Sequence, residues 1–363
     1  MATKVENLVV TSRTPTAAQP PRAEDRRWAA GFGVAVLRRV PVTVVIVLAF
    51  VLPFALQTQQ QSLATRALIF GLMAASLDVA YGHAGLYSLG NAALMGVGGY
   101  TAGLLMVRYD VSSFWVIAPA VLLASALASL VFALAALRAK GLYFILVTLA
   151  LGQMVANLAQ EWSFLKTSQA EAVTGIVMPR LGLGELWTPG TTYQFVLVVV
   201  VTAMLIIGRI IDSPVGLAFR GTRENEVRMT AIGYNVWRYR VLALVISGTL
   251  CGLAGALFAF HSGLIAPTNI GVAASGLLVL MVIIGGTGTR YGPFIGGVVV
   301  TLLEFYATQW SLERAPLIIG LLFIATALLI RFRPRVRHAA QSGLQRFSGA
   351  LRTRKEGTAD VAA

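Results

Sequence analysis

The sequence predicts an all-α integral membrane protein of about ten transmembrane helices, some of them short or broken and rich in glycine. Three observations carry that prediction: composition, the run of apolar segments, and the placement of charge. Of 363 residues, 57% are hydrophobic and only 12% charged, and the mean hydropathy is +0.75. Soluble domains carry about 25% charged residues. Half the usual charge is missing, so polar groups cannot cover the apolar surface in water, and a bilayer is the fitting solvent. A soluble enzyme is excluded.

The apolar segments fall at roughly 42–57, 63–80, 89–107, 114–137, 141–160, 193–211, 241–261, 270–285, 293–310 and 315–330. The fourth is the cleanest, with 24 uncharged residues from Phe114 to Leu137. At about 1.5 Å per residue it reaches roughly 36 Å, enough to span with some tilt. The third segment and the stretch 285–297 are short and glycine-rich, so each is a candidate re-entrant piece.

Four regions carry the whole net charge of +14: residues 1–40 (+4), Arg138 with Lys140 (+2), the loop 212–240 (+2) and residues 331–363 (+6). With ten spans all four fall on one side. The positive-inside rule makes that side cytoplasmic, with both termini inside. The opposite loops agree, since 58–62 is uncharged and 161–192 holds two basic against three acidic residues. The organisation expected is a basic, disordered cytoplasmic tail (1–40), a transmembrane domain (41–330) and a second basic cytoplasmic tail (331–363). Residues 1–25 are polar and show no signal-peptide pattern. Basic flanks beside spans are orientation signals, so nucleic acid is not an expected partner, whereas inner-leaflet lipid is.

Chemistry is sparse. The one cysteine, Cys251, allows no intrachain disulfide. His83, His261 and His338 sit in separate segments with no metal-ligand spacing. No G-x-x-x-x-G-K-[ST] is present, so any ATP used must be bound by another chain. No catalytic residue, metal or cofactor is expected in this chain.

Four stretches are informative. Tyr81 to Gly103 holds seven glycines in 23 residues, each costing a lone helix about 1 kcal/mol relative to alanine. Small residues let helices approach closely, as Gly99-x-x-x-Gly103 would. Broken helices of this kind also line transport pathways. With Tyr81, Ser88, Asn91 and Tyr100 among the glycines, the stretch reads as a pathway wall. Next, Leu137 to Gln153 is a basic turn leading into a helix that bears Thr148 and Gln153 about one turn apart, on a similar face, to bind either a solute or a neighbouring helix. Third, in 212–240, Leu217, Arg220, Glu224 and Val227 keep helical spacing and Val227, Ala231 and Ile232 continue the apolar stripe to a C-cap at Gly233. The mixed charges of Arg223, Glu224, Glu226 and Arg228 favour a protein partner over anionic lipid. Fourth, Ile284 to Gly297 lacks the ending of a phosphate loop and reads as a tight turn followed by close packing at Gly292-x-x-x-Gly296. Two acids lie inside apolar segments: Asp78, near enough to a helix end to reach the interface, and Glu304, placed to face a partner subunit.

In order and spacing these stretches resemble the permease subunit of the branched-chain amino acid ABC transporters, LivM type. The residues are Tyr81-Gly-x-x-Gly85-x-x-Ser88-Leu-Gly90, Gly141-Leu-Tyr-Phe, Ser213-Pro-x-Gly216, Ile246-Ser through Gly252-Leu-Ala-Gly-Ala-Leu257, and Gly285-Gly-x-Gly288-x-x-x-Gly292-Pro293. The resemblance covers about residues 63–330. It implies an ABC importer permease fold in the bacterial inner membrane, working with a second related permease subunit, two cytoplasmic ATP-binding subunits and a periplasmic solute-binding protein. The loop 212–240 then couples to the ATPases through Arg220, Arg223, Glu224, Ala231 and Gly233. The substrate pathway is expected at Tyr81, Ser88, Asn91, Gly96, Tyr100, Thr148, Gln153 and Thr174. Asn91 stands where the family usually has histidine, a glutamate usual near Gln153 is missing, and Ala172–Ile176 keeps only Thr174-Gly175 of a longer pattern. The expected solutes are branched-chain or hydrophobic amino acids, with urea or short amides as the alternative. An ATP-independent small-solute channel or carrier is the reading from another class, and it would need ion-site carboxylates or a constriction of its own.

Overall fold

The computed structural model describes residues 57–162, 172–180 and 189–310, with positions 50, 317, 320 and 321 in isolation. The apolar segments at 42–57 and 315–330 and both basic tails lie outside the described residues. Each of the other eight predicted segments is a helix. They are α1 (Thr58–Asp78), α2 (Asn91–Val107), α3 (Phe114–Ala136), α4 (Leu142–Glu161), α5 (Pro189–Asp212), α8 (Val236–Ser262), α9 (Val272–Gly285) and α10 (Gly292–Trp310). Between α5 and α8 lie two short helices, α6 (Pro214–Glu224) and α7 (Glu226–Ala231). Among the described residues, five helices are long and apolar enough to cross a membrane: α1 with its extension to His83, α3, α4, α5 and α8. The apolar α2 and α9 are shorter.

Helix α8 is the axis of the bundle and packs along α1, α2 and α3. Asn235 caps its start, Oδ1 accepting from the Arg238 N–H at 3.2 Å, and Gly263, at φ +71°, ends it. Its small residues explain the packing. A Cβ on Gly252 would strike Ser125 Oγ of α3, and one on Gly248 would strike Ser129 Oγ. Gly98 of α2 lies against the Gly252 backbone, and Gly255 against the Met95 carbonyl. The predicted pair Gly292-x-x-x-Gly296 packs as expected, with Gly292 on Gly285 and Gly296 on Gly285 and Met281 of α9. Without side chains between them, helix backbones reach van der Waals contact, which is what drives association where lipid is as apolar as leucine.

Helices α1 and α8 run antiparallel: Ser62 Oγ lies 3.3 Å from His261 Nε2, and Phe70 stands edge-on to Phe258 at 5.9 Å. Each is followed by a non-helical passage and then a short helix. After α1 comes a π-helical turn (Val79–His83), then residues 84–90, then α2. After α8 come the strand β2 (Leu264–Ile265), a 3-10 turn (Pro267–Ile270) and α9. The two passages share a pattern: His83-x-Gly85-Leu86-x-x-x-x-Asn91 and His261-x-Gly263-Leu264-x-x-x-x-Asn269. Both glycines take the left-handed conformation, at φ +72° and +71°, that other residues rarely adopt. One architectural unit therefore occurs twice in opposite directions, the arrangement of inverted repeats in membrane transporters. The stretch 285–297, expected as a candidate re-entrant piece, is a turn at 286–291 followed by the start of α10, and the second break lies at 263–271.

Strand β1 (Val173–Thr174) pairs antiparallel with β2, in register Val173 to Ile265 and Thr174 to Leu264. This ribbon closes the end of the bundle opposite α6 and α7. Gly103 of α2 packs beneath it on Ile176 and Val173.

Candidate functional site

The first break brings three predicted residues together. Thr148 Oγ1 of α4 accepts the Leu89 N–H at 3.2 Å, and Ser88 Oγ accepts the Gly90 N–H at 3.3 Å. Backbone freed by the missing helix is thus satisfied by hydroxyls, as a non-helical passage among apolar helices requires. Asn91 opens α2, its amide donating to Ser247 Oγ of α8 at 2.9 Å. Cys251 Sγ lies 3.3 Å from the Asn91 carbonyl oxygen. Asn91 Oδ1 is buried and, among the described residues, has no partner; the same holds for the Tyr100 hydroxyl, about two and a half turns further along α2 on its opposite face. Gly96 gives the second break its seat, because Ile270 of the 3-10 turn fills the space a side chain would take. The second broken passage therefore packs on α2 at Gly96, about a turn and a half beyond Asn91, which itself bonds Ser247 of α8.

The remaining pathway candidates lie elsewhere. Tyr81 is half-buried in the π-helical turn with its ring edge-on to Tyr87 at 4.6 Å. Thr174 is exposed on the ribbon at the far end. Thr148 and Gln153 do not share a face: Thr148 is buried and Gln153 exposed. Five residues advance a helix by about 500°, hence about 140° apart. Gln153 instead bonds Asn157, its amide nitrogen 3.2 Å from Asn157 Oδ1, on the outer face of α4.

The loop 212–240 folds as a helical hairpin rather than the single amphipathic helix expected. Asn225 breaks it: with extended backbone (φ −159°, ψ 104°) it ends α6, and its side chain caps α7 by accepting the Arg228 N–H at 2.9 Å. An asparagine that can satisfy the backbone locally competes with helix continuation. Ser213 caps α6 with Pro214 following, and Gly233, at φ +96°, closes α7 as predicted. The closure is a Schellman motif, with the Gly233 N–H on the Thr230 carbonyl and the Tyr234 N–H on that of Met229. Buried Ala218, Phe219 and Thr222 fix α6 to the bundle. Arg220, Glu224, Ala231 and Gly233 are exposed, beside outward-facing Leu217, Val227 and Ile232 at 63%, 79% and 65% exposure. A groove lined by Val215, Ile232, Tyr234, Arg238, Tyr239 and Leu242 runs next to them.

Arg223 is exposed as well, but it is tied back to the bundle. Its guanidinium donates to the Gly82 carbonyl in the π-helical turn. Asp78 does not reach the surface as expected. Its side chain is 3% exposed; Oδ1 accepts the Gly288 N–H at 2.9 Å, and Oδ2 lies 3.3 Å from His83 Nδ1. Arg290 of the same turn pairs with Asp212 at 2.6 Å. Glu304 faces Arg66 of α1 at 3.5 Å, within the chain rather than across a subunit boundary. Sequence reasoning missed Ser247, Asn157 and Ile270. The repeated His-x-Gly-Leu signature signalled the second break, and the four-residue spacing from Gln153 signalled Asn157. Among the described residues no group of His, Cys, Asp or Glu is gathered to hold a metal.

Apolar spans, two interrupted helices and a folded hairpin exposed at one end define a multi-pass α-helical membrane protein of the permease class. Residues 61–327 match the family model described as branched-chain amino acid transport system / permease component, and the chain belongs to that family. It is similar to the high-affinity branched-chain amino acid transport system permease protein LivM of Salmonella typhimurium strain LT2, 26% identical over 326 residues, covering 84% of this chain and 75% of that protein. The LivM of Escherichia coli K12 matches to the same extent. The permease protein LivH of Escherichia coli K12 is 29% identical over 182 residues, 45% of this chain and 58% of that protein. No solved structure matches the chain.

Proposed function

We propose that this chain is one of two permease subunits of an ATP-driven importer for branched-chain or hydrophobic amino acids, coupled to cytoplasmic ATPases through the hairpin α6–α7. The observation that carries the coupling is the hairpin's surface. Leu217, Val227 and Ile232 stand exposed among Arg220, Glu224 and Arg228 at the basic end of a membrane protein. Exposed apolar side chains rimmed by mixed charge mark a protein-docking surface rather than a lipid-facing one. The basic end is cytoplasmic by the positive-inside rule, which places both termini inside the bacterial inner membrane.

ATP is bound by two partner subunits, and a periplasmic solute-binding protein delivers the solute. The second permease is a related chain, as the two kinds of relative, LivM and LivH, suggest. The pathway runs along the first break, α2 and the outer face of α4, through Ser88, Asn91, Gly96, Tyr100, Thr148 and Gln153, with Tyr81 and Thr174 towards its two ends. Asn91 and Gln153 are neutral amides, which equally suit urea or short amides, so that solute class is the second reading.

The test is ATP hydrolysis by the co-expressed complex in liposomes with binding protein and leucine, urea or short amides. Solute-stimulated hydrolysis is expected for one of these classes, falling about tenfold or more in Arg220→Ala/Glu224→Ala. Solute flux through this chain alone, indifferent to ATP and to the hairpin, makes it a channel or carrier and overturns the proposal.

A further inference from the structure

Arg220, Arg223 and Glu224 of α6 are all exposed, but the Arg223 guanidinium reaches across to the first broken passage. Its surroundings are made of glycine. Gly82 supplies the carbonyl that accepts from its guanidinium; a Cβ on Gly85 would press on its stem; a Cβ on Gly288 would meet its Nη1 at 2.9 Å. Gly82 and Gly85 belong to the start of the first broken passage. Gly288 belongs to the turn between α9 and α10, and α9 is the helix that the second broken passage leads into. One side chain of the hairpin therefore sits in a socket walled by the start of the first passage and by the α9–α10 turn, at the end of α9 away from the second passage. The walls are bolted together independently of Arg223, because buried Asp78 accepts the Gly288 N–H and also faces His83 of the π-helical turn. The end of α5, just before α6, is tied to the same turn by Arg290 and Asp212.

We propose that Arg223 and the Asp78–Gly288 bond form a transmission joint, through which one displacement of α6 moves both broken passages together. The proposal rests on the coupling reading above and goes beyond it. Docking of the ATPase is the work of the outward residues. Arg223 is a positioning residue that delivers the motion to the Gly82 backbone, and Asp78 passes it on to α9. A packed interior with two discrete arrangements transmits such a shift because it does not deform gradually. A π-helical turn at the receiving point fits, since it is a strained segment that can give up one hydrogen-bond register for another.

The experiment uses the whole complex in proteoliposomes, with nitroxide labels at Tyr87→Cys in the first passage or Leu264→Cys in the second, both exposed positions. Cys251 is buried and does not compete for label. With the unaltered joint, a non-hydrolysable ATP analogue is expected to change the spectrum at both labels. Arg223→Met, which keeps length and removes the donors, is expected to abolish both changes and cut solute moved per ATP hydrolysed about tenfold, with the ATPases still bound. Arg223→Lys, which keeps a donor, restores them. Asp78→Leu loses the change at position 264 and keeps that at 87, while Asp78→Asn, which keeps an acceptor for Gly288, retains both; this pair decides the matter should Arg223→Met not assemble. Unchanged responses in Arg223→Met, or in Asp78→Leu, overturn the joint and leave the coupling reading standing. No nucleotide response at either label in the unaltered complex removes the coupling reading, and the joint with it.

Discussion

Gly98→Ala is expected to lower the apparent Tm of the purified protein by about 5 °C or more, an overpacking cost of about 1–3 kcal/mol. The added Cβ would fall on the Gly252 carbonyl of α8, and Gly255 repeats the contact in reverse against the Met95 carbonyl of α2. Both partners are backbone, so no side chain can swing aside. Relief requires α2 and α8 to part, and α8 also carries Gly248 and Gly252 against Ser129 and Ser125 of α3. Separation at one crossing therefore loosens a second. Gly276→Ala in α9 is the control, because a Cβ there meets nothing within 4 Å. That change is expected to leave Tm the same or raise it, since alanine is the better helix former by about 1 kcal/mol. Thermal unfolding followed by size-exclusion fluorescence reads both. Equal Tm values for the two variants would mean that α2 and α8 do not cross at Gly98.

The helices were legible in the sequence because lipid imposes a simple rule: each span must be long, apolar and internally hydrogen-bonded. Segment 114–137 became α3 within one residue for that reason, and the gap from Ser213 to Asn235 announced the hairpin by its charge. What stayed hidden depends on contacts distant in sequence. Asp78 looked like a residue near a helix end, but its partner is the backbone of Gly288, 210 positions later. Helical spacing from Leu217 to Val227 gave no sign of the break at Asn225, where a side chain's local hydrogen bonding outweighs an uninterrupted apolar stripe. The glycines of 81–103 were noticed as a group, yet their uses differ. Gly85 serves a left-handed turn, Gly98 a helix crossing, and Gly96 a seat for Ile270. Composition alone does not separate these uses, because each is defined by what lies opposite.

The repeated pattern around His83 and His261 ties the fold to its proposed work. Two breaks lie at opposite ends of the bundle, each leading from a long helix into a short one, and the second rests on α2 where Ile270 faces Gly96. A hinge at each end allows opposite ends to open in turn about a fixed centre, which is what alternating access demands. The hairpin adjoins one of these hinges directly and the other through α9, so the two need not be driven separately.

Gln153→Leu together with Asn157→Leu is expected to reduce uptake by about tenfold in the intact transporter without lowering its Tm. The two amides lie near the middle of α4 on its outer face, bonded to each other at 3.2 Å, and Gln160 continues the polar line. Their mutual bond satisfies one donor and one acceptor and leaves the rest of both amides outward. An amide in hydrocarbon without a partner costs about 4–8 kcal/mol on the strictest transfer scale, so this line is an unfavourable lipid-facing surface. The rest of the outer face, with Leu142, Leu146, Met154 and Leu158, is ordinary for a membrane. Facing water or a second permease subunit, the amides have partners, and that is where a solute path between two subunits would run. Leucines there would leave the fold intact and remove the polar wall. Facing lipid, the same leucines would raise Tm and leave uptake untouched. That outcome would move the path off the outer face of α4 and towards the inward-facing Asn91 and Gly96 of α2.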